Sequence, residues 1–430
     1  MIVCKSQDAG VGEGANNMFE TDMLNRQYQK KKGGREYGAH ALTITNMLTI
    51  VSSIIFHSCV CHAIDMKGVS YTAWGPNAML TEDSDESLAR AHDDGCNWIA
   101  ICVWWFQDNV NSTQIEPDFK RYSATADSAA HAINRCHELG MKVLLKPMVD
   151  CRDGTWRGDI NPSVDWFAEY ERFISFWADI AEANKVEMLC IGCELKNTVS
   201  WLSSWESVIA NTRIRYSGPL TYAANHGNEK NVNWWGNLDY IGIDAYYALT
   251  GKNNPTPYEL KAAWAGRADA IESWRNANWP NMDVIFTEVG YQSTDGTNRT
   301  PWWTDPATSS IDLVEQADCY EALLSQCKAR HWWLGAFWWN WETNPNGGGE
   351  HDPYWTPQNK PAQDVLRSHY ITLPGDFDDD QYVDPTDVTF LAEHWLNSEI
   401  VGDPDLNHDG SVNLLDFAIL AEHWRKRTVP

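Results

Sequence analysis

Short β-rich runs alternate with helical stretches eight times between residues 67 and 370, and this alternation constrains the fold more than any other feature. Helical patterns fill most intervals: 124–139 is closed by Gly140, and 164–183 begins after Ser163. Only the interval between the fifth and sixth runs lacks a full helical pattern. The predicted strands are 68–74, 98–105, 142–147, 187–192, 220–223, 240–245, 283–287 and 334–339. Eight such units favour a (β/α)8 barrel over an open doubly wound sheet.

Charge and missing motifs exclude several classes of function. No GxGxxG follows the first predicted strand and no GxxxxGK[ST] occurs, so the dinucleotide-binding and P-loop interpretations fail. A net charge of −26 disfavours nucleic acid and anionic membranes as partners. Neutral substrates and cations remain compatible with this charge.

Tryptophan is unusually abundant, with 24 Trp against 12 Phe. An indole face can stack on a sugar ring while its N–H binds a hydroxyl, so a Trp-lined cleft suits carbohydrate. The alternative is a core rich in Trp.

The N-terminal part of the chain predicts export. Residues 47–60 form an apolar run too short for a bilayer span, preceded by Lys30, Lys31, Lys32 and Arg35. We interpret residues 1–63 as an extension with a signal peptide, which implies a secreted or cell-surface protein without a membrane span after cleavage. A buried helix is the alternative, but the run lacks an amphipathic period.

The eight cysteines after residue 63 are scattered, without zinc-type spacing or the framework of a small disulfide scaffold. We expect most of them to be buried thiols.

Two carboxylates end predicted strands at the catalytic edge of the barrel. Glu194 follows the fourth strand, and Glu288 ends the seventh. In a barrel the carboxyl ends of the strands form one rim, so the two can face each other across its mouth. A pair about 5–5.5 Å apart is what a retaining glycosidase requires. A lone strand-end Glu is more often a cap or an ion-pair partner, but the pair at these two positions favours catalysis.

These motifs resemble glycoside hydrolase clan A, and most closely family 113, the endo-β-mannanases. The resemblance spans roughly residues 68–370 and lies in HELGMKVLLKP from His137, IGCEL at 191–195, DYIGIDAY at 239–246 and TEVGY at 287–291. It implies a monomeric barrel, at residues 64–372, that hydrolyses a β-linked polysaccharide with Glu194 as acid/base and Glu288 as nucleophile, without a catalytic cofactor. Mannan or glucomannan is the expected substrate.

The barrel fold and the two glutamates together suggest roles for other residues at the rim. Tyr246, at the end of strand six, is placed to hydrogen-bond Glu288 and keep it ionised, although it could simply pack at the rim. Asp244, two residues earlier, is expected to bind sugar. Because neighbours on a strand alternate faces, we expect Trp104 and Trp338 in the cleft, and Trp339 in the core.

The loop after strand three is a candidate wall of the cleft, although its charged residues could equally be solvated. It contributes Asp150, Trp156 and Arg157, and Lys146 lies in the apolar strand before it. Many clan A enzymes place Asn before the acid/base to bind the sugar 2-hydroxyl, but Cys193 stands there in this chain.

Either of the two residues that follow strand five, Asn225 or His226, could supply the missing contact.

The C-terminal 58 residues, 373–430, contain an acidic loop twice, each followed by Leu-Ala-Glu-His-Trp. Oxygen side chains at positions 1, 3, 5, 9 and 12 of a loop wrap a cation of calcium size. The predicted ligands are Asp376, Asp378, Asp380, Asp384 and Asp387 in the first loop, and Asp405, Asn407, Asp409, Asn413 and Asp416 in the second. A disordered acidic tail is the alternative, but the internal repeat argues against it.

Asp rather than Glu at position 12 resembles a type I dockerin. Gly410 suits the sharp turn of the second loop, whereas Gln381 replaces Gly in the first. The resemblance implies structural calcium and a cohesin-type partner on a scaffold or cell surface.

For the barrel two alternatives stay open: the same chemistry on a β-glucan or β-galactan, or a non-catalytic sugar-binding barrel tethered by the dockerin.

Overall fold

The computed structural model describes residues 64–303, 305–371, 373–378, 382–396, 404–407 and 409–426. The predicted signal segment at 47–60, the rest of residues 1–63 and Asp380 lie outside these ranges. Among the helices of the described ranges, none combines the length and apolar character that crossing a bilayer requires.

Eight parallel strands form a closed barrel in which each strand pairs with its neighbours in sequence, and β1 pairs with β8. This confirms the predicted (β/α)8 fold. The strands are β1 Met66–Thr72, β2 Trp98–Gln107, β3 Lys142–Cys151, β4 Met188–Cys193, β5 Leu220–Asn225, β6 Ile241–Asp244, β7 Val284–Val289 and β8 Trp333–Glu342. Several of them run further toward the catalytic rim than the sequence pattern indicated.

Helices cover the outside of the barrel. Between β5 and β6 the chain forms two short 3₁₀ turns, Glu229–Asn231 and Trp235–Asn237, in place of a full helix, as predicted. The helices of the barrel domain are α1 Glu82–Asp93, α2 Ala126–Glu138, α3 Val164–Ala183, α4 Leu202–Arg215, α5 Pro257–Asn278, α6 Leu313–Cys327 and α7 Pro361–Tyr370.

Local sequence explains where these helices begin. The Ser163 hydroxyl accepts a hydrogen bond from the Trp166 amide at 3.1 Å and caps α3. Thr256 and Glu259 form a reciprocal capping box at the start of α5, which has proline at its first turn. Both helices turn an apolar face to the barrel, and this packing fixes the sheet that carries the rim.

Most of the buried Trp side chains lie between the sheet and the helices. For these residues the alternative interpretation, a core rich in Trp, is confirmed. Those with almost no exposed surface are Trp166, Trp177, Trp205, Trp234, Trp235, Trp264, Trp338 and Trp341. The eight cysteines of the described ranges are buried and unpaired, as expected.

Two helices lie in the described part of the C-terminal module, α8 Pro385–Glu393 and α9 Leu414–Glu422. Asp384 and Asn413 cap them, and each is paired in a capping box with the Asp three residues on. A small apolar cluster lies beneath, formed by Val383, Leu391, Val412 and Leu420. Because this cluster is so small, the module needs stabilisation beyond its core.

Candidate active site

A cavity of about 480 Å³ opens at the carboxyl ends of the strands. It brings together seven of the residues that the sequence predicted for the site: Trp156, Arg157, Glu194, Asn225, His226, Tyr246 and Glu288. They come from the ends of β3 to β7 or the loops that follow, which is where barrel enzymes place their chemistry.

Glu288 accepts hydrogen bonds from an ammonium and a phenol, and the Cys193 thiol lies 3.8 Å from its Oε1. Lys146 Nζ donates to its Oε1 at 2.6 Å, and the Tyr246 hydroxyl donates to its Oε2 at 2.9 Å. The Lys146 ammonium is fully buried, while Glu288 retains 5% exposure toward the cavity. An ammonium ion and a phenol directed at the two oxygens favour the ionised carboxylate and fix its orientation.

Beneath Glu288 lies a second buried carboxyl group. Asp244 accepts from Lys146 Nζ at 3.1 Å and from the Thr287 hydroxyl at 2.8 Å, and the Cys193 thiol donates to its other oxygen at 3.3 Å. Burial and the Glu288 charge raise the pKa of Asp244 to about 7. Burial alone would lower the pKa of Lys146, but Asp244, Cys193 and Glu288 raise it well above its usual range. The lysine therefore remains a fixed cation.

Glu194 has a different environment. Asn225 Nδ2 donates to its Oε1 at 2.7 Å and Trp156 Nε1 to its Oε2 at 3.3 Å, and neither donor is charged. The backbone of Glu194 has φ +53°, in the left-handed region that a non-glycine residue rarely adopts. Its amide still bonds the Ala223 carbonyl at 2.8 Å. This turn directs the half-buried carboxyl group into the cavity.

Arg157 links the β3 loop to the floor of the site. It forms a two-pronged ion pair with Asp150, at 2.8 and 3.1 Å, and donates from Nη1 to Cys193 Sγ at 3.1 Å. Asp150 itself does not line the cavity. The predicted wall thus consists of Trp156 and Arg157, with Asp150 as the anchor that orients the guanidinium.

The structure reverses the predicted roles of two neighbouring Trp residues. Trp339 lines the cavity, whereas Trp338 is fully buried outside the barrel, stacked on Tyr320 at 3.8 Å and bonded to the Tyr370 hydroxyl. The two neighbouring Trp side chains do point to opposite faces of the strand, as expected. The prediction assigned each of them to the wrong face. The prediction that Trp338 faces the cleft is therefore wrong, and the Trp that faces it is Trp339.

Three other predicted sugar-binding residues lie beside or beneath the cavity rather than in its lining. Trp104 is almost fully buried in the barrel interior, with its ring 4.5 Å from that of Trp74 and 6.3 Å from that of Trp339. Lys146 and Asp244 are fully buried. These residues support the residues that line the cavity, and their predicted direct contact with sugar is corrected accordingly.

Sequence reasoning missed three lining residues, Met148, Trp302 and Trp355. Met148 lies three residues before the end of β3, and its position on the same strand as Lys146 could have indicated it. Trp302 and Trp355 follow β7 and β8 in long connections, and the unusual pair Trp302-Trp303 was an available signal.

Replacing Lys146 by Met should destabilise the protein and slow it. The change leaves Asp244 and Glu288 buried without their shared cation, and breaking a buried ion pair costs about 3–5 kcal/mol of unfolding free energy. We expect a fall of this size in chemical denaturation and a large loss of kcat. Lys142→Met, on the exposed start of the same strand, is the control. Equal effects of the two changes would contradict the assigned role.

The acidic residues of the two tail loops lie in different surroundings. In the first loop, one oxygen each of Asp376, Asp378 and Asp387 lie within 4.8 Å of one another. In the second, Asp405 accepts from the Gly410 amide at 2.7 Å, and Asp416 from the Asn407 and Asn413 amides at 3.2 and 2.7 Å. Backbone amides thus turn the carboxylates inward, and Gly410 has φ +87° at the sharp turn. This donor set fits a hard divalent cation.

Comparison with known proteins agrees with this geometry. The sequence model of Glycoside Hydrolase Family 113 matches residues 70–353, and that of the Dockerin type I domain matches residues 374–425. An endoglucanase from Paenibacillus polymyxa is 23% identical over 341 residues, which cover 69% of this chain and 78% of that protein.

Two solved structures share the barrel closely. A family 113 β-mannanase from Alicyclobacillus acidocaldarius, in complex with ManMIm, has a TM-score of 0.64 and 27% identity over 73% of this chain and 99% of its own. A complex of a family 113 β-1,4-mannanase has the same TM-score and identity over 71% and 98%. The chain is a glycoside hydrolase that belongs to family 113 and carries a type I dockerin domain.

Proposed function

We propose that this enzyme hydrolyses β-mannan or glucomannan with retention of anomeric configuration, by double displacement. The observation that carries the proposal is the unequal environment of two carboxyl groups on one cavity. Glu288 receives a buried ammonium and a phenol, whereas Glu194 receives an amide and an indole. Two carboxyl groups in different environments are what an ionised nucleophile and a proton donor require.

Glu288 is the proposed nucleophile. Its Oε1 is bound by Lys146, so its Oε2, bound only by Tyr246, is the oxygen that attacks the anomeric carbon. Tyr246 keeps that oxygen oriented before attack, and Lys146 keeps the carboxylate charged. The covalent glycosyl-enzyme that results is hydrolysed in the second step.

Glu194 is the proposed acid/base. It protonates the leaving oxygen in the first step and deprotonates the attacking water in the second. Asn225 and Trp156 fix its two oxygens without a formal charge, so the group can change protonation state within one turnover. The Asn225 amide is itself fixed, because its Oδ1 accepts from Asn228 at 3.3 Å.

The sugar is proposed to stack on Trp339 and to be flanked by Trp156, Trp302 and Trp355, which line the cavity. The two solved relatives are described as β-mannanases, and this supports mannan as substrate. The description of the Paenibacillus relative as an endoglucanase makes β-glucan the second candidate.

Initial rates on mannan, glucomannan, β-1,4-glucan and β-galactan, with products resolved by length and anomer, test the proposal. Mannan and glucomannan should be cleaved fastest, giving β-configured products first. Faster cleavage of pure β-glucan would favour the second candidate. Sugar binding without turnover on any polymer would favour a non-catalytic barrel.

For the tail, residues 373–430, we propose that the ten loop residues named above hold calcium and that the module docks a cohesin-type partner on a scaffold or cell surface. The inward-turned carboxylates of both loops support this ligand set. Bound calcium would neutralise the loops and so stabilise the two helices. A secreted or cell-surface location, with removal of residues 1–63, is part of the same proposal.

Removing calcium should unfold the tail and spare the barrel. The acidic loops repel themselves without a cation, and the small cluster beneath the helices stabilises them too little alone. Chelator titration of the full chain should therefore abolish docking to cohesin and expose residues after 376 to protease, while hydrolysis changes by less than about twofold. Parallel loss of hydrolysis, or a protease-resistant tail in excess chelator, would contradict this.

A further inference from the structure

Two long connections supply part of the wall of the active-site cavity, and one buried lysine joins them. Trp302 lies in the connection after β7, and Trp355 lies in the connection after β8. Lys360 ends the second connection, directly before α7. Its side chain is fully buried but does not line the cavity. The mechanism proposed above gives this lysine no role.

The local sequence gives no reason for a lysine at this position. Lys360 is the N-cap residue of α7, and its side chain makes no capping hydrogen bond. A positive charge beside the first turn of a helix is disfavoured by the helix dipole, and Ser, Thr, Asp or Asn would cap the helix better. Burial also lowers the pKa of the Lys360 ammonium. The stabilisation of a charged lysine here therefore comes from its contacts with other segments.

The Lys360 ammonium has three acceptors, one for each of its protons. Nζ donates to the Ser293 hydroxyl, the Asp352 carboxylate and the Tyr354 carbonyl, each at 2.9 Å. Ser293 follows β7, whereas Asp352 and Tyr354 lie in the connection after β8. The Ser293 hydroxyl in turn donates to the Asp352 carbonyl at 2.6 Å. The lysine thus fastens one connection to the other by charge-assisted hydrogen bonds.

These contacts lead directly to the cavity wall. The residue after Tyr354 is Trp355, whose indole N–H donates to the Pro301 carbonyl at 2.9 Å. Pro301 directly precedes Trp302. A side-chain carbon built on Gly290, directly after β7, would lie 3.1 Å from the Trp355 ring, so this ring packs against the end of the strand. Displacement of the Tyr354 segment would therefore move Trp355 and, through Pro301, Trp302 as well.

We infer that Lys360 is a positioning residue that holds Trp355, and through it Trp302, where the cavity wall contacts the sugar chain. This rests on the proposed function, in which the two rings flank the substrate. Lys360 acts only through these rings, because it does not line the cavity. It sets the affinity for the sugar chain and leaves bond cleavage to the two glutamates. Loss of the lysine therefore weakens substrate binding far more than it slows the chemistry.

Two variants test this role. Lys360→Met removes the ammonium group and keeps a side chain of similar length. On linear β-1,4-mannopentaose, KM should rise about tenfold while kcat stays within about threefold of the wild type. Ser293→Ala is the milder variant, because it removes one acceptor and leaves two, and it should raise KM about threefold. Denaturation curves establish that each protein is folded at the assay temperature.

Lys261→Met is the matched control. Lys261 on α5 donates to Glu321 on α6 at 2.8 Å, so this change also removes an ammonium that joins two neighbouring segments. Neither residue lines the cavity. KM and kcat of the control should both stay within about twofold of the wild type.

A double-mutant cycle separates positioning from a general structural role. Trp355→Ala removes the ring that the lysine holds, and it should raise KM at least as much as Lys360→Met does. Added to Trp355→Ala, the lysine change should raise KM by less than about a further twofold, because the ring through which it acts is already absent.

A fall in kcat with unchanged KM for Lys360→Met would overturn the inference and leave the proposed function intact. So would an equal rise in KM for the Lys261 control, an unchanged KM for Trp355→Ala, or a further rise of the full size when the lysine change is added to Trp355→Ala. Failure of the wild type to hydrolyse mannopentaose would instead overturn the proposed function, and the inference with it.

Discussion

Glu288→Gln should abolish turnover on every substrate, with kcat lower by at least about 10⁴-fold. The amide cannot form the glycosyl-enzyme, and a better leaving group cannot replace a missing nucleophile. Initial rates on mannan and on an activated aryl mannobioside, measured with the same protein preparation, check this. The loss should be equally severe on both.

Glu342→Gln is the matched control for this change. Glu342 ends β8, at the same rim of the barrel, but does not line the cavity. It should retain activity within a few-fold of the wild type, and both variants should bind manno-oligosaccharides. Near wild-type turnover by Glu288→Gln would contradict the assignment of the nucleophile.

Glu194→Gln should hydrolyse polysaccharide very slowly and should regain activity on substrates with an activated leaving group. Loss of a general acid costs about 10²–10⁴-fold when the leaving oxygen needs a proton, and little when the leaving group is already acidic. Mannan hydrolysis should therefore fall by this factor. A dinitrophenyl mannobioside should still form the glycosyl-enzyme, so that a burst of phenolate precedes slow release of sugar.

Rescue by azide distinguishes a variant that lacks only the acid/base carboxylate from a variant that is inactive because it is misfolded. Without the Glu194 carboxylate the anion can enter and attack the glycosyl-enzyme, which restores turnover and yields a β-glycosyl azide. Glu288→Gln serves as the negative control, because it forms no intermediate for azide to trap. Rescue of Glu288→Gln that yields a β-azide, with no β-azide from Glu194→Gln, would show that the two roles are exchanged.

Periodicity and strand-end position were enough to predict most of the fold and to place both proposed catalytic glutamates at the barrel rim. Apolar runs alternating with helical patterns can be counted without three-dimensional information, and a carboxylate at the end of such a run must lie at the barrel rim. Both observations depend only on local sequence. The repeated acidic loops were recognisable for the same reason, because ligand spacing within a loop is a local property.

The wrong phase at Trp338 and Trp339 has a physical cause. Strands of a parallel barrel are buried on both faces, so alternation of apolar and polar residues does not mark the inner face. In β8 both candidates are Trp, and only the packing of Trp338 on Tyr320 from α6 decides which face is outer. That contact joins elements distant in sequence.

The buried charge cluster shows a second limit. Lys146 on β3 reaches across the barrel to Asp244 on β6 and Glu288 on β7, so its partners are 98 and 142 residues away. The sequence marked Lys146 as unusual, since a lysine rarely lies in an apolar strand. It could not indicate that the lysine binds Glu288 and Asp244 rather than the sugar.

Trapping the covalent intermediate tests the central claim most directly. The wild-type enzyme, incubated with a 2-deoxy-2-fluoro mannosyl donor that carries a good leaving group, should gain one sugar, and peptide mass spectrometry should locate it on Glu288. The label should disappear in Glu288→Gln and persist in Glu342→Gln. A label on Glu194 or another residue, or products of inverted configuration with no labelled enzyme, would contradict the account.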